Sequence, residues 1–300
     1  MNISNGEWYE IEADTTTART MQYSFKGFVL YHVLQIWCGK FAPKLIKSME
    51  VKKEKKGMET IVVWFSCGAA SAVAAKLTVG KYGETHNILI VNNPIKEEDP
   101  DNIRFKNDVE KWIGQEIIEA KNKDYPNASI VEIFEKRKYM SGIAGAPCTM
   151  LLKKEARYQF ELTHEIDWHV LGFTVDEMHR HERFIKGERA NTIPVLIDAG
   201  YTKTMCFDEL IMAGIKLPAM YDNYENANCP GCVKATSPTY WNTVRIVHPE
   251  VFEDRAEQSD RLGVKLVRYK GKRISLRDLP KNAKGGKIQT YECGIFCDNY

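Results

Sequence analysis

The chain has 300 residues, 44% of them hydrophobic and 27% charged, with a formal net charge of +2. It is long enough for one large core or two small ones, and too near neutral for a strong overall nucleic-acid footprint, although a local basic patch stays open. No apolar run approaches a bilayer span, and the longest near the start, Gly27 to Cys38, has neither the basic lead nor the small-residue cleavage site of a signal peptide.

A cytoplasmic protein with no membrane partner is therefore expected. The eight cysteines, Cys38, Cys67, Cys148, Cys206, Cys229, Cys232, Cys293 and Cys297, then read as metal or redox residues rather than disulfides. Cys38 and Cys206 lie in apolar surroundings and read as buried fillers.

Residues 1–57 differ in character from the rest. They hold one amphipathic stretch between Asp14-Thr15-Thr16-Thr17 and the lysine-rich run Lys52 to Gly57, and read as an N-terminal extension. An alternative is that Met58 is the natural start, the Lys-rich run then reflecting purine-rich codons of a ribosome-binding site.

From Glu59 the pattern is α/β. Ile61 to Phe65 are five consecutive apolar residues, the signature of a strand buried on both faces. Ser66-Cys67-Gly68-Ala69-Ala70-Ser71 is a turn of small residues leading into an Ala-rich helix over about 70–80. Such a turn offers backbone N–H groups at the positive end of the helix dipole, with Ser66 and Ser71 as hydroxyl donors, and can hold phosphate or sulfate without a charged side chain. An ordinary strand-loop-helix connection is the plainer reading.

A second strand ends at Asn92 and Asn93. A helix over about 101–114 is expected to turn Ile103, Val109 and Ile113 inward. Ser129 to Phe134 reads as a third strand and His169 to Phe173 as a fourth. Alternating strands and helices predict a doubly wound, mostly parallel sheet, with ligand at the carboxyl ends of the strands. The nucleotide-binding domain is expected over 58–215 and a cysteine-containing C-terminal region over 216–300, with a short helix opening at Phe207 and a polar helix over about 248–262 that buries Phe252 and Leu262.

Cys229-Pro230-Gly231-Cys232 has metal-ligand spacing, Pro-Gly forming a tight knuckle between two thiols. Cys293 and Cys297 form a second pair. Together they favour a four-cysteine zinc or iron–sulfur site over two unrelated thiol pairs. Cys148 opens a helix beside Lys153 and Lys154, where a thiol pKa is depressed, so it reads as a ligand, a nucleophile or a simple capping-region cysteine. Cys293 lies near the C-terminus with Gly294 as a hinge. Arg180 and Arg183 can bind phosphates, Asp176 and Glu177 orient them, and His179 and His181 read as exposed.

These segments, in order, resemble the adenine nucleotide alpha-hydrolase-like (PP-loop, Rossmann-like) superfamily, and within it the phosphoadenosine phosphosulfate (PAPS) reductase family, in a divergent phage-type form. The resemblance is carried by Ser66 to Ser71, Cys148 to Lys153, Gly172 to Glu177 with Arg180, Asn228 to Cys232, and Glu292 to Ile295.

It implies an adenine nucleotide (PAPS, APS or ATP) held by Ser66, Cys67, Gly68, Ala69, Ala70, Ser71, Asn92, Asn93, Lys153, Gly172, Asp176 and Arg180. It implies Cys293 as the nucleophile on a small-molecule sulfonucleotide, with thioredoxin or glutaredoxin as reductant. It also implies a [4Fe-4S] cluster or zinc on Cys148, Cys229 and Cys232. Pro147 stands where a second adjacent cysteine is usual, so Cys297 is the expected fourth ligand.

Ala69 and Ala70 replace the Lys and Asp of ATP-cleaving members, Thr174 replaces an arginine, and Phe296 replaces a tail histidine. Two other readings compete: a sulfur-transfer or nucleotide-modifying ATP pyrophosphatase-like enzyme acting on nucleic acid, and a non-catalytic nucleotide-binding protein with structural zinc. A homo-oligomer is compatible with all three.

Overall fold

The computed structural model describes residues 57–142 and 145–285. Strand β1 (Thr60–Phe65) is buried along its whole length. Ile61, Val63 and Phe65 enter one apolar cluster and Val62 and Trp64 another, as a strand covered on both faces requires. After Ser66, Cys67 and Gly68 comes helix α1 (Ala69–Tyr82). Its alanines let it lie close on the sheet, and Ala69, Ala72, Ala74 and Ala75 are fully buried.

Strand β2 (Asn87–Asn92) pairs parallel with β1. Helix α2 (Asp101–Ile113) leads to β3 (Ile117–Glu119), which pairs parallel with β2. Helix α3 (Ile130–Arg137), a π-helical segment (Thr149–Glu155) and α4 (Ala156–Glu161) precede β4 (Trp168–Val170), which pairs parallel with the other side of β1. The sheet order is β3-β2-β1-β4.

After β4 come α5 (Met178–Gly187), the short α6 (Val195–Asp198) and α7 (Lys203–Met212). Residues of α1, α2, α6 and α7 cover one face of the sheet. Phe160 of α4 and Phe184 of α5 cover the other. The fold is thus an α/β doubly wound parallel sheet, and its topological switch point lies between β1 and β4.

A separate apolar cluster joins α3 to α8 (Pro238–Val247), α9 (Pro249–Arg261) and the hairpin β5 (Val267–Tyr269)–β6 (Lys272–Ile274). Among the described residues no helix is long and apolar enough to cross a membrane.

Three local expectations are corrected. Residues 129–134 form a helix, not a strand: Ser129 caps it by accepting from the Glu132 N–H at 3.2 Å, and Ile130, Ile133 and Phe134 recur at helical spacing on its buried side. The third strand is instead β3, three residues at the sheet edge.

In α2 the inward residues are Phe105, Val109 and Ile113, while Ile103 is 69% exposed. Asn102, Phe105, Val109 and Ile113 are spaced by three or four and share one face. Ile103→Glu should therefore change stability by less than about 0.5 kcal/mol, whereas Phe105→Ala should cost about 3–5 kcal/mol, as read from urea-unfolding midpoints. The polar helix α9 agrees with expectation in burying Phe252, while Leu262, just past its end, packs only partly against the core.

Candidate functional site

At the switch point the carboxyl ends of β1 and β4 open into a cleft that is in part exposed to solvent. The small-residue turn forms one wall through Ser66, Gly68, Ala70 and Ser71. The turn is internally tied. The Ser71 hydroxyl donates to the Gly68 carbonyl at 2.9 Å and accepts from the Ser66 N–H at 3.1 Å.

Cys67 takes a left-handed φ of 56°, unfavourable for a residue with a side chain. Its thiol turns under the turn, where Asn92 Nδ2 reaches Sγ at 3.7 Å and also donates to the Phe65 carbonyl at 2.9 Å. Burial, with the Glu98 carboxylate next in effect, pushes the Cys67 thiol far above its ordinary range, so it is an unreactive filler at neutral pH.

The first-turn amides of α1 are the groups its own ladder cannot satisfy. One of them, Ala69 N–H, donates to the Tyr221 hydroxyl at 3.2 Å. Tyr221 lies on a 3-10 turn (Ala219–Asp222) and its ring packs on Phe207 with centroids 4.8 Å apart.

Gly172, just past β4, faces the same turn. A Cβ there would lie 2.8 Å from Ser71 N and 3.0 Å from the Ala70 carbonyl carbon. Only glycine lets the two walls come this close.

Three cationic side chains line the cleft: Lys153, Arg180 and Lys203. Lys153 comes from the π-helical segment, is buried, and lies 3.8 Å from Glu98. Arg180 pairs with Glu177. Lys203 Nζ donates to the Glu225 carbonyl at 2.6 Å and to Asn226 Oδ1 at 2.5 Å.

Trp64, Leu171 and Phe173 supply apolar surface. Thr174, 1% exposed, brings to the cleft a hydroxyl with no hydrogen-bond partner among the described residues, a group that a polar ligand would satisfy.

Of the residues singled out in the sequence, Ser66, Gly68, Ala70, Ser71, Lys153, Gly172 and Arg180 meet around this cleft. Cys67 and Ala69 lie beneath the turn. Asn92 and Asn93 are 4% exposed and stand behind it, Asn93 Nδ2 donating to the Ala120 carbonyl at 2.8 Å. Asp176 is exposed and accepts from the Lys203 N–H at 3.1 Å.

His179 is exposed as expected, but His181 is partly buried, edge-on to Phe173 at 5.7 Å, and this desolvation lowers its pKa. Sequence reasoning missed Lys203, Tyr221 and Asn226. They reach the cleft through folding of distant segments, and nothing in their local sequence marks them.

Segments that carry three of the thiols adjoin the cleft. Asn228 lines it, and Cys229 is the next residue. Gly231 takes a φ of 68°, the conformation the Pro-Gly knuckle needs. The knuckle is braced by the Cys232 N–H donating to the Tyr240 hydroxyl at 2.7 Å and by the Ala235 N–H donating to the Cys232 carbonyl at 3.0 Å. Cys148 stands at the start of the π-helical segment that carries Lys153 and joins the same apolar cluster as Cys229.

The donor set, two thiols across a tight turn and a third from another segment, suits a thiophilic ion or cluster. Among the described residues no three Cys, His, Asp or Glu side chains stand at metal-holding separation. Cys38, Cys293 and Cys297 lie outside the described residues. Cys206 is fully buried in the first cluster, as a filler should be.

No protein-family model matches the chain, and no curated protein matches it by sequence. Among solved structures it is similar to the U34-tRNA thiolase NcsA from Methanococcus maripaludis with its [4Fe-4S] cluster, at 16% identity over 80% of each chain and a TM-score of 0.42.

Proposed function

We propose that the chain is an enzyme of the PP-loop, adenine nucleotide alpha-hydrolase-like class. In this reading it binds an adenine nucleotide with its phosphates against the Ser66–Ser71 turn. It performs sulfur-transfer or nucleotide-modifying chemistry, with a nucleic acid as acceptor, beside a thiol-held iron–sulfur or zinc centre.

The observation that carries the nucleotide part is the cleft itself. A helix start made of small residues meets Gly172 at the switch point, and Lys153, Arg180 and Lys203 face the same space. Apolar surface from Trp64, Leu171 and Phe173 suits a base, and the Thr174 hydroxyl suits a sugar or phosphate oxygen.

Cys148, Cys229 and Cys232, with Cys297 as the fourth ligand, would hold the metal centre, which when bound supplies Lewis acidity or electron transfer. Three thiols carried by the segments that bring Lys153 and Asn228 to the cleft support this reading over one in which a single terminal thiol does all the chemistry.

A second reading is favoured by the Ala69-Ala70 pair, which gives a pyrophosphate neither an ammonium nor a carboxylate. It is thiol-dependent reduction of PAPS or APS. The Cys293 thiolate attacks the sulfur, the S–O bond to the nucleotide breaks, and the nucleotide leaves with that oxygen. The dithiol of thioredoxin or glutaredoxin then supplies two electrons and releases sulfite from the protein thiosulfonate.

Calorimetric titration with ATP and with PAPS tests the shared part, and Lys153→Met should weaken whichever nucleotide binds by about tenfold or more. Unaltered affinity in that variant, or no binding of either nucleotide, would sink the proposal. Pyrophosphate release from ATP in the presence of tRNA or DNA then supports the first reading. Sulfite release from PAPS that is lost in Cys293→Ser supports the second.

A further inference from the structure

Arg255 on α9 is 3% exposed. Burying a guanidinium is costly unless it is paired and fully hydrogen-bonded, and Arg255 is neither. Its Nη1 donates to Gln258 Oε1, and its plane lies over the Phe134 ring at 5.3 Å. Among the described residues its Nε–H has no acceptor, and no carboxylate stands within salt-bridge distance of it.

Glu97 is the carboxylate within electrostatic reach, but its two oxygens are engaged at the start of α3. They accept from the Ser129 hydroxyl at 2.5 Å and the Ile130 N–H at 2.8 Å. After Glu97, the groups whose charge acts most strongly on the guanidinium are Cys148, Cys229 and Cys232.

The orphaned Nε lies beside the knuckle: a Cβ built on Gly231 would lie 4.0 Å from it and 2.8 Å from Val251 Cγ1, one turn earlier on the same helix. A buried cation with an unused donor beside the Cys229–Cys232 knuckle lacks its counter-charge, and the negative charge that thiols carry when they are ligands would supply it.

We propose that Arg255 is a positioning residue for an anionic thiolate centre at Cys148, Cys229 and Cys232, donating Nε–H to that centre and balancing its charge. The proposal rests on the reading of these cysteines as ligands. It adds that the centre is net negative and is held by a specific outer partner.

Cobalt titration of the full-length, reduced chain under anoxic conditions tests both, read from the thiolate-to-cobalt charge-transfer band in competition with a chelator. The wild-type chain should bind, and Arg255→Met should bind about 10–100-fold more weakly. Arg255→Lys keeps the charge and most of the volume but places no donor where Nε stands, and should still lose several-fold. It therefore carries the test if the methionine variant does not fold.

Arg245→Met is the control for lost packing. Arg245 lies over Phe252 at 4.3 Å in the same cluster, and its removal should leave cobalt affinity at the wild-type value. Wild-type binding with equal affinity in Arg255→Met and Arg255→Lys overturns the role of Arg255 alone. A wild-type chain that binds no cobalt overturns the thiolate centre with it.

Discussion

Gly172→Ala should lose about 1–3 kcal/mol of stability and on the order of tenfold or more in nucleotide affinity. The new methyl would meet the backbone of Ser71 at 2.8 Å for N and 3.1 Å for Cα. Backbone at the start of a packed helix cannot rotate aside as a side-chain tip can. Either α1 or the strand that ends at Val170 must shift, and the turn that leads into α1 is the proposed phosphate wall.

Gly80 supplies the contrast. It lies inside α1, has open space around its would-be Cβ, and Gly80→Ala should leave binding intact while raising stability by up to about 1 kcal/mol. Chemical unfolding and calorimetric titration of the two variants separate the effects. Wild-type nucleotide affinity in Gly172→Ala would show that the close approach does not shape the site.

The second large effect concerns acid. His169 is 1% exposed on β4 and accepts from Trp64 Nε1–H through Nδ1 at 3.2 Å, the two rings lying side by side with centroids 6.4 Å apart. Protonating Nδ1 would break that bond. Burial, then the positive charges of Arg189 and Arg157, push the His169 pKa down to about 3 from the ordinary 6.5.

The unfolded chain therefore binds a proton that the native chain refuses between these values. The stability contributed by His169 is complete above pH 6.5 and is lost as pH falls toward 3, at about 1.4 kcal/mol per pH unit. Urea midpoints at pH 7 and 4.5 should show the wild-type chain losing about 2–3 kcal/mol more than His169→Asn. A parallel pH dependence in the two proteins would mean that the native imidazole takes up its proton as readily as the unfolded one.

Much of the architecture was legible. Ile61 to Phe65 announced a strand buried on both faces, and Ser66 to Ser71 announced a turn into a helix, because both depend on neighbours in the chain. At 129–134 β-branched composition points to a strand while spacing points to a helix, and spacing prevails: Ile130, Ile133 and Phe134 sit three and four apart, and Ser129 is a good helix cap. Strand β3 escaped notice because three residues flanked by Gln115 and Glu116 give no periodic signal.

At the site, the glycine and the serines could be anticipated from the turn chemistry of their own segments. Tyr221, which occupies the Ala69 amide, could not, because it arrives from 152 positions away. The unused Arg255 donor likewise emerges only once α9 has packed against the knuckle.

The cluster beneath the thiols also bears on how such a protein can be taken apart or recombined. Ile130, Ile133, Phe134 and Leu152 share their apolar partners with Trp241, Phe252, Leu266 and Leu276, so the segments that carry Cys148 and Cys229 are laced through one another. Transplanting the knuckle alone into another scaffold would leave its underside bare, and a fragment cut near residue 215 would display a greasy helix face to water. Any inherited or engineered exchange of this module must bring both stretches together.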